Sequence, residues 1–295
     1  MPVFLGFLGV LAFSFTLPAT RVAVEDLDPI VVGVGREALA ALPAALILLA
    51  ARAPLPSREQ LRRIAIVALG VVFGWPVFTA LALQDLTSAH SAVIVGLLPA
   101  ATAVVAVMRA GEHPSPAFWL ASLAGLVAVL AFAASQGAGL LSGGDVLILI
   151  AVALSAVGYA EGGALARDMG GWRVICWAVV LSLPLTLPIS IVAAAGSELH
   201  ADTDAWLGFA YVAAVSALLG FFPWYAGLAR GGVAKIGQIQ LIQPLLTLVW
   251  SAWLLDEHIG VLTVVASIAV LASVVATQRT RVDRSSRPPL VTSGR

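Results

Sequence analysis

Two pairs of polar side chains lie inside strongly apolar stretches of the chain, where polar groups are rare. Arg36 and Glu37 are adjacent in one stretch, and Gln240 and Gln243 share a helix face in another because they are three residues apart. Charges and amides are costly in such surroundings, so each should pair with a neighbour or face a wet cavity. The amides are candidates for binding a polar solute or for joining two helices. Arg36 and Glu37 are candidates for ion coupling or for orienting helices.

A proline occurs near the middle of each of two apolar stretches, at Pro99 and Pro244. Each removes a backbone hydrogen bond and bends its helix, which frees carbonyl groups one turn earlier, near Gly96 and Leu241. Such carbonyls are tolerated in a membrane where they line a cavity or where neighbouring groups bind them. We therefore expect the two prolines to act as hinges and Gly96 and Leu241 to contact a solute. A packing kink is the alternative interpretation.

Three aromatic residues inside apolar stretches are candidates for the walls of a solute site: Trp75, Tyr159 and Trp177. They occur in both halves of the chain, and Trp75 and Tyr159 each follow a glycine directly. Ordinary packing is the alternative for any one of them. Four other tryptophans lie near the ends of apolar stretches and are more simply interface anchors; these are Trp119, Trp206, Trp250 and Trp253.

The sequence contains no signature of catalysis or of metal and nucleotide binding. We find no HExxH, GxSxG or Asp-rich prenyl-diphosphate motif and no nucleotide-binding P-loop. Cys176 is the single cysteine, so neither a disulfide framework nor a thiolate metal cluster can form. We expect no catalytic residue, no metal and no cofactor. The net charge of zero gives no reason to expect a nucleic-acid partner.

The elements that must position these residues are membrane helices. The 295-residue chain is 60% hydrophobic and 11% charged, with a mean hydropathy of +1.01, against roughly 25% charged residues in soluble domains. A span needs about 20 apolar residues. Charged residues, glycines and prolines divide the chain into ten such segments. The segments are about 3–20, 29–51, 64–83, 89–108, 115–134, 144–164, 173–195, 205–228, 235–254 and 260–277.

The placement of Lys and Arg orients these segments, because basic residues accumulate on the cytoplasmic side of a membrane. With the N-terminus inside, Arg21 lies outside, Arg36 lies within a span, and the other 14 of the 16 basic residues fall on the inner side. We therefore predict an all-α membrane protein with ten spans and both termini in the cytoplasm. The basic tail 279–295 lies on the same side.

The chain repeats itself. A shift of 145 residues aligns Pro99 with Pro244 and the pair Glu112-His113 with Glu257-His258, and a shift of 141 aligns Pro43 with Pro184. We predict two five-helix repeats, 1–138 and 139–278. Because five is odd, the second repeat enters the membrane inverted, an arrangement typical of secondary transporters.

These features resemble the drug/metabolite transporter superfamily, and specifically its EamA-type ten-helix branch, over essentially the whole chain. The resemblance is carried by LDPIVVGVGREALA (27–40), AHSAVIVGLLPAATAVVAVMRAGEH (89–113) and AKIGQIQLIQPLLTLVWSAWLLDEH (234–258). The superfamily motif ends in Gly-Glu; the first copy keeps it as Gly111-Glu112, whereas the second has Asp256-Glu257. Members export or exchange small metabolites, and bacterial amino-acid exporters are among them.

The resemblance and the residues together suggest the solute. Four-helix relatives that expel cationic drugs carry an acidic residue in their first helix, and the first span here has none. We therefore expect a monomeric secondary transporter of the bacterial inner membrane that exports small metabolites, above all aromatic or other neutral amino acids, by alternating access. Its partners would be the solute and the lipid bilayer. A passive channel or facilitator is the first alternative, and a membrane-embedded enzyme is the second.

Overall fold

The computed structural model describes residues 1–110, 113–135, 141–197, 201–231, 236, 238–279 and 282–283. These residues are helical apart from short connections and one two-residue antiparallel pair, β1 (His113–Pro114) with β2 (Val282–Asp283). Large apolar side chains cover the outside of the bundle; Leu49, Val192 and Trp253 are each at least 72% exposed. An apolar exterior of this kind is stable against lipid, so the prediction of an all-α membrane protein is confirmed. The motif residues Gly111 and Glu112, Lys235 and most of the tail lie outside the described residues.

Within the residues that the structure describes, seven helices are long and apolar enough to cross a membrane. They are α1 (Pro2–Asp26), α2 (Val31–Ala50), α3 (Arg58–Ala82), α4 (Ser88–Met108), α6 (Gly143–Met169), α7 (Gly171–Gly196) and α8 (Thr203–Arg230). Shorter apolar stretches belong to three further helices, α5 (Pro116–Ser135), α9 (Gln243–Leu254) and α10 (Val261–Arg279). The membrane crossing of these three stays a prediction.

Several helices depart from regular α-geometry. A break at Phe15 divides α1 into Pro2–Ser14 and Thr16–Asp26. A π-helical segment opens α2 (Val31–Gly35), and others lie within α3 (Ala68–Gly74) and α8 (Val212–Leu219). Because π-helical turns are frequent at functional sites, these segments make the middle of the bundle a place to look for a site.

Both prolines predicted as hinges lie just after a break in the helix. The first part of α4 is Ser88–Val95, and the helix resumes as Leu98–Ala110 with Pro99 in its first turn. A 3-10 segment, Gln238–Ile242, precedes α9, in which Pro244 is the second residue. The first turn of a helix suits proline, because the N–H that proline lacks would have no partner there. Their action as hinges stays a prediction.

Each helix before residue 139 packs against one that follows it. Such pairs include α1 with α8, α2 with α7, α3 with α6, α4 with α9 and α5 with α10. Let α1 to α5 correspond in order to α6 to α10, so that α1 corresponds to α6 and α5 to α10. If every helix in these pairs is replaced by the helix that corresponds to it, the same five pairs result. A cavity at the centre of the bundle is therefore bounded by both halves.

Polar contacts near the helix ends divide these ends into two groups. At one end, the Arg21 guanidinium donates to the carbonyl of Gln84 at 3.0 Å, and the Asp202 N–H donates to Asp26 at 3.0 Å. At the other end, Arg63 pairs with Asp168 at 3.1 Å and also with Glu161. The predicted topology groups these helix ends in the same way; the membrane side that each group faces stays a prediction.

Candidate functional site

A cavity lies inside the bundle where α1, α2, α3, α6, α8 and α9 meet. Nine described residues line it: Phe13, Thr16, Arg36, Val71, Trp75, Tyr159, Ser216, Phe221 and Gln243. The empty space among these residues is about 330 Å³ when the part open to the surroundings is included, but the enclosed part has room for little more than a water molecule, so a larger solute enters only if the helices move apart. Five of these residues precede residue 139 and four follow it, so the cavity lies at the junction of the two halves.

Four residues singled out in the sequence meet at this cavity: Arg36, Trp75, Tyr159 and Gln243. They come from four different helices, so only the fold brings them together. Tyr159 and Gln243 are 8% and 4% exposed, which shows how little of this site is open to the surroundings. A charge, an amide and two aromatic rings at one place can bind a solute that is polar at one end and apolar at the other.

The other predicted solute contacts are not among the described lining residues; these are Gly96, Gln240, Leu241 and Trp177. A Cβ on Gly96 would lie 3.0 Å from Cγ1 of Val270, so this glycine lies against α10. The Gln240 amide nitrogen and the Trp177 indole nitrogen are buried and lack a hydrogen-bond partner among the described residues. Whether these four residues meet a solute in another conformation stays a prediction.

Arg36 and Glu37 form a buried ion pair at the start of the α-helical part of α2. Nε of Arg36 donates to Oε1 of Glu37 at 3.0 Å, and the two side chains are 4% and 1% exposed. Both partners belong to one helix, so the pair does not tie one helix to another. Arg36 is also one of the residues that line the cavity.

Hydroxyl and amide groups complete the polar part of the wall. The Thr16 and Ser216 hydroxyl oxygens lie 2.7 Å apart and join α1 to α8. Oε1 of Gln243 is buried without a hydrogen-bond partner among the described residues. An unpaired buried acceptor costs free energy, roughly 1–3 kcal/mol, so a ligand that donates to it would be stabilised. Thr16 and Ser216 were missed as site residues because single hydroxyls inside spans are common.

The break in α1 is held open by groups from the second half of the chain. Pro18 has no N–H, so the carbonyl of Ser14 lacks its usual helical donor. The Thr247 hydroxyl donates to that carbonyl at 2.8 Å instead, and the Tyr211 hydroxyl donates to the carbonyl of Ala12 at 2.8 Å. Pro18 is the sequence signal that could have predicted this break next to the cavity.

Aromatic rings form the apolar part of the wall. The Phe221 ring lies 4.8 Å from that of Phe13 and 6.1 Å from that of Tyr159. Phe13 and Phe221 were missed, because phenylalanine in an apolar helix is most often a packing residue. No group of three His, Cys, Asp or Glu side chains that could hold a metal ion occurs within the residues the structure describes.

Comparison with known proteins identifies the family to which this chain belongs. The chain is 47% identical over 274 residues to the uncharacterized transporter YdeK of Bacillus subtilis (strain 168), which covers 93% of this chain and 96% of YdeK. A crystal structure of another protein superposes with a TM-score of 0.64 at 17% identity, over 94% of this chain and 98% of that one, a likeness of fold alone. The EamA-like transporter family matches residues 1–134 and again residues 142–278. The predicted resemblance is thereby confirmed: the chain belongs to the EamA-like transporter family and is a multi-pass membrane transporter.

Proposed function

We propose that this protein is a secondary transporter that exports small metabolites, above all neutral amino acids, across the bacterial inner membrane by alternating access. The observation that carries the proposal is the cavity at the junction of the two halves, with a charge, hydroxyls, an amide and aromatic rings in its wall. Such a wall suits a small molecule with a polar and an apolar part. A site between two halves is also where rocking of one half against the other would open it to each side in turn.

The proposal includes ten spans arranged as two inverted repeats, 1–138 and 139–278. Helices α5 and α10 have 20 and 19 residues, about 30 Å and 28 Å at 1.5 Å per residue, which is the thickness of the hydrocarbon core. The π-helical segments also support the repeat, since a shift of 145 residues carries Ala68 to Ala213, inside the segment Val212–Leu219. The same shift carries Gly96, at the break in α4, to Leu241, just before α9.

Alternating access would use the breaks next to Pro99 and Pro244. Each break lacks regular helical hydrogen bonds, so a change of backbone angles there costs less than in the middle of a helix. We further propose that the protein works as a monomer with both termini in the cytoplasm. The support for this orientation is the basic character of the predicted inner loops.

Purified protein in sealed liposomes tests the proposal. A panel of labelled amino acids would be offered to vesicles that contain wild type, Trp75→Ala, Gln243→Ala or the control Trp119→Ala. Trp119 is 47% exposed on α5 and does not line the cavity, so its variant should transport like wild type while the two cavity variants lose transport. If no amino acid moves faster than in protein-free vesicles, the amino-acid assignment fails.

A further inference from the structure

We propose that Arg36 binds the carboxylate of the transported solute, so that the solute must carry both a carboxylate and an amine. This inference rests on the proposed function and deepens it, because it names the side chain that selects the substrate class. It concerns α-amino acids and close relatives rather than neutral metabolites in general.

The first step is the unused hydrogen-bonding capacity of Arg36. Its side chain is 4% exposed and donates through Nε to Glu37. It makes no other hydrogen bond with the part of the chain that the structure describes, which leaves the donors of the two Nη groups unused on a residue that lines the cavity. A guanidinium presents such donors in a planar fork that fits the two oxygens of a carboxylate. Buried charged donors without acceptors are costly, so an anionic group that enters the cavity would be held there.

The second step is the charge balance of the site. Of the nine described lining residues, Arg36 alone carries a charge, and that charge is already offset by Glu37 at 3.0 Å. A solute with a net charge would therefore leave an uncompensated charge inside the membrane, which is expensive. A zwitterion adds no net charge to the site.

The third step is the set of acceptors available for an ammonium group, which carries three donors. Oε1 of Gln243 is buried and has no partner among the described residues. The Thr16 and Ser216 oxygens, 2.7 Å apart, share one hydrogen between them and keep further lone pairs. The cavity thus offers a fork of donors for one end of a zwitterion and oxygen acceptors for the other. The rings of Phe13, Trp75, Tyr159 and Phe221 remain for its side chain.

Equilibrium binding to the full-length protein in lipid nanodiscs tests the inference without requiring transport. Calorimetry would first find the amino acid that binds most tightly among the twenty common ones. Its amide, which lacks the carboxylate, and its deaminated acid, which lacks the amine, would then be titrated against wild type, Arg36→Lys and Arg63→Lys. Arg63 is the matched control because it also pairs with a buried carboxylate, that of Glu161, but does not line the cavity.

The expected result is that wild type and Arg63→Lys bind the amino acid about tenfold or more tightly than the amide. Arg36→Lys should show a clearly smaller preference for the amino acid, because a single ammonium keeps the charge but cannot reproduce the fork, and its retained binding of the amide would show that it is folded. Equal affinity of wild type for the amino acid and its amide, or no binding of any amino acid, would overturn the inference. Transport of the amino acid and its amide at equal rates would overturn the inference about Arg36 but not the proposal that the protein is a transporter. Binding that depends on the carboxylate, without any transport, would support carboxylate binding by Arg36 and overturn the proposed function.

Discussion

The carboxylate of Glu257 accepts a hydrogen bond from the backbone N–H of Ala89 at 2.8 Å, although 168 residues separate the two in the chain. The same carboxylate accepts from the N–H and the hydroxyl of Ser88 at 2.9 and 3.0 Å. The first N–H groups of a helix have no partner within it, and a negative charge is favourable there. The second copy of the Glu-His motif thus caps the helix that begins the first copy. Its repeat mate Glu112 lies outside the described residues.

Removal of this cap should destabilise the protein. Glu257→Ala leaves the donors of Ser88 and Ala89 without their carboxylate, which should lower the free energy of unfolding by about 1–3 kcal/mol. The measurement is thermal unfolding in detergent micelles. Glu59→Ala is the control, because Glu59 is 73% exposed and its partner Arg62 is 3.9 Å away. Equal melting temperatures for the two variants would show that the cap contributes nothing.

The end of the bundle at Ser88 should have to open during transport. The Ser88 and Ser251 hydroxyl oxygens lie 2.6 Å apart, so cysteines at both positions bring two sulfur atoms within reach of a disulfide. We expect oxidation of Ser88→Cys/Ser251→Cys to join α4 to α9 and stop transport into proteoliposomes, and reduction to restore it. The buried Cys176 should not interfere, and each single-cysteine variant serves as a control. Undiminished transport by the oxidised protein would mean that this end does not move.

Two buried glutamines should respond differently to the same change. Gln240 and Gln243 each have an amide atom without a described hydrogen-bond partner, so replacement by leucine removes an unpaired polar group and should keep or raise stability. Only Gln243 lines the cavity. We expect Gln243→Leu to reduce amino-acid transport roughly tenfold and Gln240→Leu to reduce it by less. Equal losses in both variants would place the solute path along both amides instead.

The contact between α1 and α8 depends on a residue without a side chain. A Cβ on Gly9 would lie 2.9 Å from the Cα of Trp224, closer than real Cβ atoms come. Gly9→Ala should therefore push the helices apart and cost about 1–3 kcal/mol of stability. At Gly196 a Cβ would meet nothing within 4 Å, so Gly196→Ala should be tolerated. Chemical denaturation in mixed micelles compares the two, and equal midpoints would contradict the close packing.

The membrane class and the family could be predicted from the sequence, because apolar runs of the right length and Arg-rich loops arise directly from the physics of the bilayer. Arg36 and Gln243 could also be predicted as candidates, because polar groups inside a membrane are costly unless they pair or face a wet cavity. Phe13 and Ser216 could not be predicted from the sequence as residues of the cavity wall. A helix that is apolar on every side carries no periodic pattern that tells the inner face from the lipid-facing one. The π-helical segments likewise depend on packing between distant helices rather than on local sequence.

The central claim, that this protein carries a solute by alternating access, is tested most directly by counterflow. Proteoliposomes would be loaded with a high concentration of one unlabelled amino acid and diluted into a trace of the same labelled compound. A carrier exchanges one for the other, so we predict that labelled amino acid accumulates transiently inside above the outside concentration and then declines. Label that only rises to equilibrium would indicate a passive channel, and label that enters no faster than into protein-free vesicles would contradict amino-acid transport.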